Sequence, residues 1–322
     1  METSFKLSQV IKPTPNYIQV LKGEHIPYHT IRAIHEMYDM IDKQGSQSKS
    51  SGGVHVASGL ERLNALISAL ENTPHKLCEM EKRAARFALA THDIGKYIST
   101  ANHEKSSSTF VEEILIDHLS WPTKYKELAL DAIRTHSDLS SDNVIAALVT
   151  FADTFDSQTS GRMWQHTQKQ IVDAQGNPLE PRPLTFVTGT NFDYNKKHEY
   201  LTVTETVQND EYTENLINKS FTRTNQETGK ESILLGSRGQ ALQSLSANLG
   251  LPIDWNIGSK TIIDNRAIAA KKDLDDAIMA EAQGLLDEFH DQVPKRSKIC
   301  RPIWDFSPKF IRLSFPSLEP SH

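Results

Sequence analysis

Apolar residues recur three and four positions apart through the first half of the chain, and this spacing predicts a series of amphipathic helices. The clearest stripe lies in residues 55–70 and consists of Val56, Leu60, Leu63, Ile67 and Leu70. Similar stripes occur in residues 25–41, 103–115, 126–136 and 143–156, and residues 79–90 are rich in small and apolar side chains. This half of the chain is therefore predicted to be helical, with the stripes facing a shared core.

The pattern changes after Gln165. Residues 174–189 contain three prolines and two glycines, which mark a boundary. The predicted parts are a helical domain (1–165) and an α+β C-terminal region (166–322) made of a small antiparallel sheet (about 171–235), helices (about 237–290) and an extended arm (294–322). The fold class is thus mainly α with an appended α+β region. That region either supports the helical core or acts as a lid or partner surface, and the pattern favours neither.

Charge and composition limit the classes of function that the sequence can be expected to have. The net charge of −6 over 322 residues supplies no basic field, so an extended nucleic-acid surface is not expected. Cys78 and Cys300 are far apart in the sequence, which indicates free thiols in a reducing compartment. Neither a signal peptide nor a membrane span is expected from the hydropathy. These observations predict a cytoplasmic protein and leave association into a homo-oligomer open.

The segment HDIGK, residues 92–96, carries the most specific chemistry. It places His92 and Asp93 side by side after a helix that is predicted to be buried. A buried pair of this kind is costly unless something compensates it. A divalent cation would do so, because imidazole nitrogen and carboxylate oxygen both bind first-row metal ions.

Further candidate ligands lie at the edges of the other predicted helices. They are His55, His103, His136 and Asp153. Helices around one core can bring such edges to one point, so the joint pattern predicts a metal site. His25, His29 and His35 on the earlier helix are alternatives to His55, but the serine-rich segment 43–53 separates that helix from the site and favours His55.

Residues 26–165 resemble the HD-domain superfamily of metal-dependent phosphohydrolases. The similarity lies in a histidine, then HDIGK, then NHEKSSS, then IRTH, then FADTFDSQTS, in that order. It implies an all-helical domain with one or two divalent ions, which could be Mn, Fe, Co, Ni, Zn or Mg. By this resemblance the first metal is held by His55, His92, Asp93 and Asp153, and the second by Asp93, His103 and His136, with Asp93 bridging the two. The GYP motif of the branch that hydrolyses cyclic di-GMP is absent, so that substrate is not favoured.

The expected function is hydrolysis of a small phosphorylated molecule, with a nucleotide favoured, by metal-activated water. Asp93 and Lys96 are the predicted catalytic residues, with Lys96 neutralising charge on the substrate. Glu104 is expected to be a solvated acid, and the alternatives are that it orients a ligand or acts as a base. The alternative is a catalytically inactive HD scaffold that serves as a nucleotide-binding or regulatory protein-interaction module.

Overall fold

The structure, a computed structural model, is mainly helical with a small sheet in the C-terminal half, as the sequence predicts. It describes residues 16–43, 52–99, 101–138, 141–156, 175, 187–209, 211, 213, 222–224, 231–233, 237–261 and 265–292. The helices within these ranges are α1 (Tyr17–Gly23), α2 (Tyr28–Lys43), α3 (Gly53–Leu70), α4 (Glu79–Thr91), α5 (His103–Phe110), α6 (Thr123–Thr135), α7 (Val144–Asp156), α8 (Ser237–Leu249) and α9 (Asn265–Gln292). The strands are β1 (Val187–Asn195), β2 (Tyr200–Gln208), β3 (Thr222–Thr224), β4 (Glu231–Ile233) and β5 (Ile253–Thr261).

The predicted apolar stripes of the N-terminal helices form the core. All five stripe residues of α3 are buried, and so are Ile145, Leu148, Ala152 and Phe155 of α7. On α6 the predicted stripe is buried at Ala132 and Ile133 and partly buried at Leu128. Burial of this apolar surface is the main favourable term that holds α3, α4, α6 and α7 together.

The sheet is mixed. The central strand β2 pairs antiparallel with β1 and parallel with β5, and β3 and β4 form a separate antiparallel pair. The sequence pattern predicts helices over residues 237–290, and this is wrong for β5. Ile253, Trp255 and Ile257 alternate with exposed residues there, which is the period of a strand. The preceding helix α8 does end as predicted, at Gly250 with φ of +61°.

The C-terminal elements pack directly on the N-terminal helices. α9 contacts α1, α2 and α3, while α8 lies against α7. The side-chain amide of Asn16 donates to the carbonyl of Ile278 at 3.1 Å, and the ring of Phe192 on β1 meets that of Phe151. One hydrophobic core therefore includes residues from both predicted domains. The boundary at residue 165 stays a prediction, and the predicted arm at 294–322 lies outside the described residues.

Two further sequence predictions concern the protein's surroundings. None of the helices in the described ranges is long and apolar enough to span a bilayer. Cys78 is an exposed free thiol, as predicted, whereas Cys300 lies outside those ranges.

Candidate metal centre

Six predicted ligands from five helical segments meet at one point in the helical core. His55 lies in the first turn of α3, His92 and Asp93 follow α4, His103 begins α5, His136 follows α6, and Asp153 lies in the last turns of α7. Their ligand atoms form overlapping groups: His55 with His92 and Asp153; His92 with Asp93 and His136; and His103 with Glu104 and His136. Within each group these atoms lie no more than 4.8 Å apart, so the clusters could hold metal ions.

The spacing of the ligand atoms suits direct coordination. Nε2 of His55 lies 3.1 Å from Oδ1 of Asp153 and 3.4 Å from Nε2 of His92. Two ligand atoms that are each about 2.1 Å from one ion lie about 3.0 to 3.5 Å apart. These three side chains therefore fit around a single first-row ion.

Asp93 lies between the two predicted metal positions. Its Oδ1 is 3.5 Å from Nε2 of both His92 and His103, and its Oδ2 is 3.6 Å from Nε2 of His55. The carboxylate thus presents one oxygen toward His103 and the other toward His55. A carboxylate in this position can bridge two ions.

Hydrogen bonds fix the orientation of two imidazoles. Nδ1 of His92 lies 2.7 Å from the carbonyl oxygen of Leu89, and Nδ1 of His136 lies 2.7 Å from that of Ile133. A carbonyl can only accept, so each Nδ1 carries the proton and donates it. Each Nε2 is then left as a lone-pair donor facing the centre, which is the tautomer that a metal ligand needs.

Burial keeps His103 and His136 in their neutral, metal-binding form. Burial and the adjacent His92 lower the pKa of His136 to about 4. Burial likewise lowers the pKa of His103, against the opposing effect of Asp93. An imidazole with a lowered pKa is unprotonated at neutral pH and can bind a cation without first losing a proton.

Polar contacts between α6 and α7 hold His136 and Asp153 in register. The side chain of Asn143 accepts a hydrogen bond from the backbone N–H of Ile145 at 2.9 Å and so caps α7. Its amide donates to Asp131 on α6 at 2.9 Å. The Thr150 hydroxyl on α7 donates to the carbonyl of His136. These contacts connect the end of α6 to the helix that carries Asp153.

Lys96 lies against the same carboxylate. Its Nζ is 2.6 Å from Oδ2 of Asp93, and only 13% of its side chain is exposed. The 3₁₀ turn Ile94–Tyr97 brings the lysine back over Asp93 within three residues. Lys96 is therefore part of the centre and pairs with the carboxylate that lies between the two predicted ion positions.

Gly95 explains how α5 comes close enough to bring His103 into the centre. Its N–H donates to the hydroxyl of Ser107 at 2.8 Å. A Cβ at Gly95 would lie 2.3 Å from the backbone nitrogen of Ser107 and 2.7 Å from the carbonyl oxygen of His103. Ser106, Ser107 and Ser108 are all buried, so small side chains on α5 complete this close approach.

We expect Gly95→Ala to destabilise the protein by about 1 to 3 kcal/mol, because the added methyl overpacks against backbone that cannot move without shifting α5. Thermal or denaturant unfolding of the metal-free protein measures this. Gly284→Ala in α9 is the matched control, since a Cβ there meets nothing within 4 Å. That control should be stabilised by up to about 1 kcal/mol. Equal effects of the two substitutions would contradict the close-approach argument.

Glu104 is less exposed than the favoured prediction of a solvated acid implies, with 27% of its side chain accessible. It is half-buried, with Oε2 3.3 Å from Nδ1 of His103, and its Oε1 accepts from the hydroxyl of Ser137 at 2.9 Å. Burial alone would raise the pKa of Glu104, but backbone hydrogen bonding, His103 and Ser137 lower it overall. Its place directly after His103 is the only signal in the sequence that could have indicated this contact.

The centre is open on one side. The side chains of His55, His92 and Asp93 are at most 1% exposed, whereas those of Asp153, His103 and Glu104 are 23%, 16% and 27% exposed. The second group of side chains is therefore where the centre meets solvent. Its floor is closed by the first group.

The alternative ligands to His55 lie elsewhere. His35 hydrogen-bonds to the hydroxyl of Tyr17 at 2.5 Å and faces Gln283 on α9, while the ring of His29 packs on that of His118. His55 is therefore the histidine that the fold brings to the centre. The comparisons with family models, with curated proteins and with solved structures found no match to this chain. The case for the centre depends on its geometry.

Proposed function

We propose that the protein is a metal-dependent phosphohydrolase that acts on a small phosphorylated molecule, with a nucleotide as the favoured substrate. The observation that carries the proposal is the position of Asp93, whose two carboxylate oxygens lie 3.5 and 3.6 Å from imidazole Nε2 atoms of His103 and His55, one from each predicted ligand set. This donor set matches the preference of first-row divalent ions for nitrogen and oxygen ligands. It agrees with the ligand set that the resemblance to HD-domain phosphohydrolases implies.

Each ion would have its own ligands in addition to the shared Asp93. His55, His92 and Asp153 would hold one ion and His103 and His136 the other, with Asp93 shared. Bound divalent ions would supply a water nucleophile at neutral pH and offset charge on the phosphoryl oxygens. Phosphoryl transfer needs little more from the protein than positioning and charge stabilisation. The buried floor formed by His55, His92 and Asp93 keeps bulk water away from these groups.

The open side of the centre supports a small phosphorylated substrate. Lys96 is the cationic side chain that contacts Asp93, and its partial exposure would allow the ammonium to meet a phosphoryl oxygen. The resemblance implies cleavage of a phosphomonoester, phosphodiester or phosphoanhydride bond, and a nucleotide is the favoured compound that carries one. The net charge of −6 gives no support to a long polyanion as substrate.

Metal removal and replacement test this proposal. The purified protein is analysed for metal, stripped with a chelator, and reloaded with Mn, Fe, Co, Ni, Zn or Mg in turn. Each form is then assayed with an aryl phosphate, an aryl phosphodiester and a panel of nucleotides. We expect about one or two ions per chain and hydrolysis that is lost on stripping and restored by reloading.

Two other results would reject the enzyme. Metal binding without turnover of any compound in the panel would favour the inactive HD scaffold that binds a nucleotide or a protein partner. Failure to bind any of the six metals would reject the centre as a metal site altogether.

A further inference from the structure

We propose that Glu104 is a positioning residue that orients His103 toward the second ion, with Ser137 holding the carboxylate in place. This inference rests on the proposed metal-dependent function. It adds a residue outside the six predicted ligands, and it assigns that residue a role distinct from coordination.

The three imidazoles at helix ends differ in how their Nδ1 can be satisfied. His92 and His136 follow the C-terminal ends of α4 and α6, where the last carbonyls of a helix lack partners within it. Each Nδ1 donates to the carbonyl three residues earlier, at 2.7 Å. The helix end itself therefore orients these two rings.

His103 cannot be oriented in this way. It is the first residue of α5, so no turn of that helix precedes it. A side chain must replace that carbonyl. Nδ1 of His103 is buried and has no hydrogen-bond partner in the part of the chain that the structure describes, and Oε2 of Glu104 lies 3.3 Å from it. A small rotation of this carboxylate would let it accept from the Nδ1–H, as the Leu89 and Ile133 carbonyls do for the other two rings.

The geometry favours orientation over direct coordination. Nε2 of His103 faces Asp93 at 3.5 Å, and Glu104 meets the other nitrogen of the same ring. Glu104 thus meets a different ring nitrogen from the one that faces Asp93. A carboxylate, an imidazole and a metal in this order form the arrangement that fixes the histidine tautomer and raises its basicity.

Through its contact with Ser137, Glu104 links the segments that carry His103 and His136. Its hydroxyl donates to Oε1 of Glu104 at 2.9 Å, and Ser137 directly follows His136. The same carboxylate thus contacts the residue at the start of α5 and the residue after the end of α6. Displacement of α5 relative to α6 would break this connection, so Glu104 also holds the two ligands of the second ion at a fixed separation.

Titration with Mn²⁺ tests the inference without an activity assay. Metal-free protein is dialysed against increasing Mn²⁺, and the number of bound ions and their dissociation constants are measured for each variant. His103→Ala identifies the ion of the second site as the one whose binding it abolishes. We expect Glu104→Ala to weaken the binding of that ion by about tenfold to a hundredfold and to change the dissociation constant of the other ion by no more than about twofold.

Conservative and remote variants separate orientation from other roles. Glu104→Gln should recover part of the loss, because its amide oxygen can still accept from Nδ1–H. Ser137→Ala should show a smaller loss at the same ion. Glu113→Gln is the matched control, because Glu113 is an exposed acid shortly after α5. This variant should bind both ions as tightly as the unmodified protein does.

Several results would overturn the inference. Unchanged affinity in Glu104→Ala would remove its basis, provided that the metal-free variant unfolds at the same temperature as the unmodified protein. Loss of the second ion in Glu104→Gln as complete as in His103→Ala would make Glu104 a direct ligand. If the unmodified protein bound no Mn²⁺ and none of the other metals, the proposed function itself would fail, which is a different outcome from equal binding by all variants.

Discussion

Asp93→Asn is expected to remove both ions and to lower hydrolysis by about a thousandfold or more. Bound ions would supply several kcal/mol of charge stabilisation in the transition state, and each 1.36 kcal/mol is a factor of ten in rate. Asparagine keeps the shape of the side chain but carries no charge and presents only one oxygen. It cannot offer a charged oxygen to the ions beside both His55 and His103, as the carboxylate would.

The measurement is metal content per chain together with kcat/KM for the best substrate of the panel. Asp117→Asn is the matched control, because the carboxylate of Asp117 is 93% exposed and its nearest charged partner, Lys126, is 3.9 Å away. That control should keep both ions and full activity. Retention of both ions in Asp93→Asn would contradict the bridging role, and retention of turnover would contradict the site assignment.

A stability measurement separates a lost site from a lost fold. Asp93 is fully buried and pairs with Lys96, so the asparagine variant leaves a partly buried ammonium without its carboxylate. Removal of one partner of such a pair is destabilising even in the absence of metal. We therefore expect lower stability of the metal-free variant but an unchanged circular dichroism spectrum at low temperature.

The helical half of the fold could be predicted because its signal is local. Each stripe on α3, α6 or α7 repeats within one helix, and the helices then have one core to face. The candidate ligands followed from the same pattern, since they lie at the ends or edges of those helices. Their convergence within hydrogen-bonding distance is a tertiary property, and the structure supplies it.

The pairing of β5 within the sheet could not be predicted from the local sequence pattern. β5 pairs with β2 across about fifty residues, so the parallel register depends on packing that no short segment encodes. Its alternation of Ile253, Trp255 and Ile257 is only a few residues long and follows a helix with a clear end signal. A long helical region was the simpler prediction there, and it missed the strand.

Glu104 and Lys96 show the same limit within the centre. The sequence places Glu104 next to His103 but does not show that Ser137, thirty-three residues later, donates to its carboxylate. An exposed acid and a half-buried orienting acid have the same local sequence. For Lys96 the 3₁₀ turn after Asp93 sets the contact, because it returns the lysine to the carboxylate within three residues.

Lys96→Met is expected to lower kcat/KM by about a hundredfold to a thousandfold, the usual effect of removing one charged or hydrogen-bonding group from a developing anion. Methionine keeps most of the length and apolar stem of lysine while removing the ammonium. In the absence of ions, the ammonium of Lys96 offsets the negative charge of the buried Asp93 carboxylate, with Nζ 2.6 Å from Oδ2. Bound cations would repel it, and the open side of the centre is where a phosphoryl group would then meet it.

The same argument predicts that metal content is kept in Lys96→Met. Loss of the ammonium removes a competitor for Asp93, so the affinity for the ions should stay the same or rise. Lys105→Met is the matched control, because Lys105 is exposed on α5 and should keep full activity. Lys96→Arg should restore part of the rate, since the charge remains although its geometry differs. If Lys96→Met lost metal and activity together, the role of Lys96 would be to hold Asp93 in place. The ions alone would then have to neutralise the charge of the substrate.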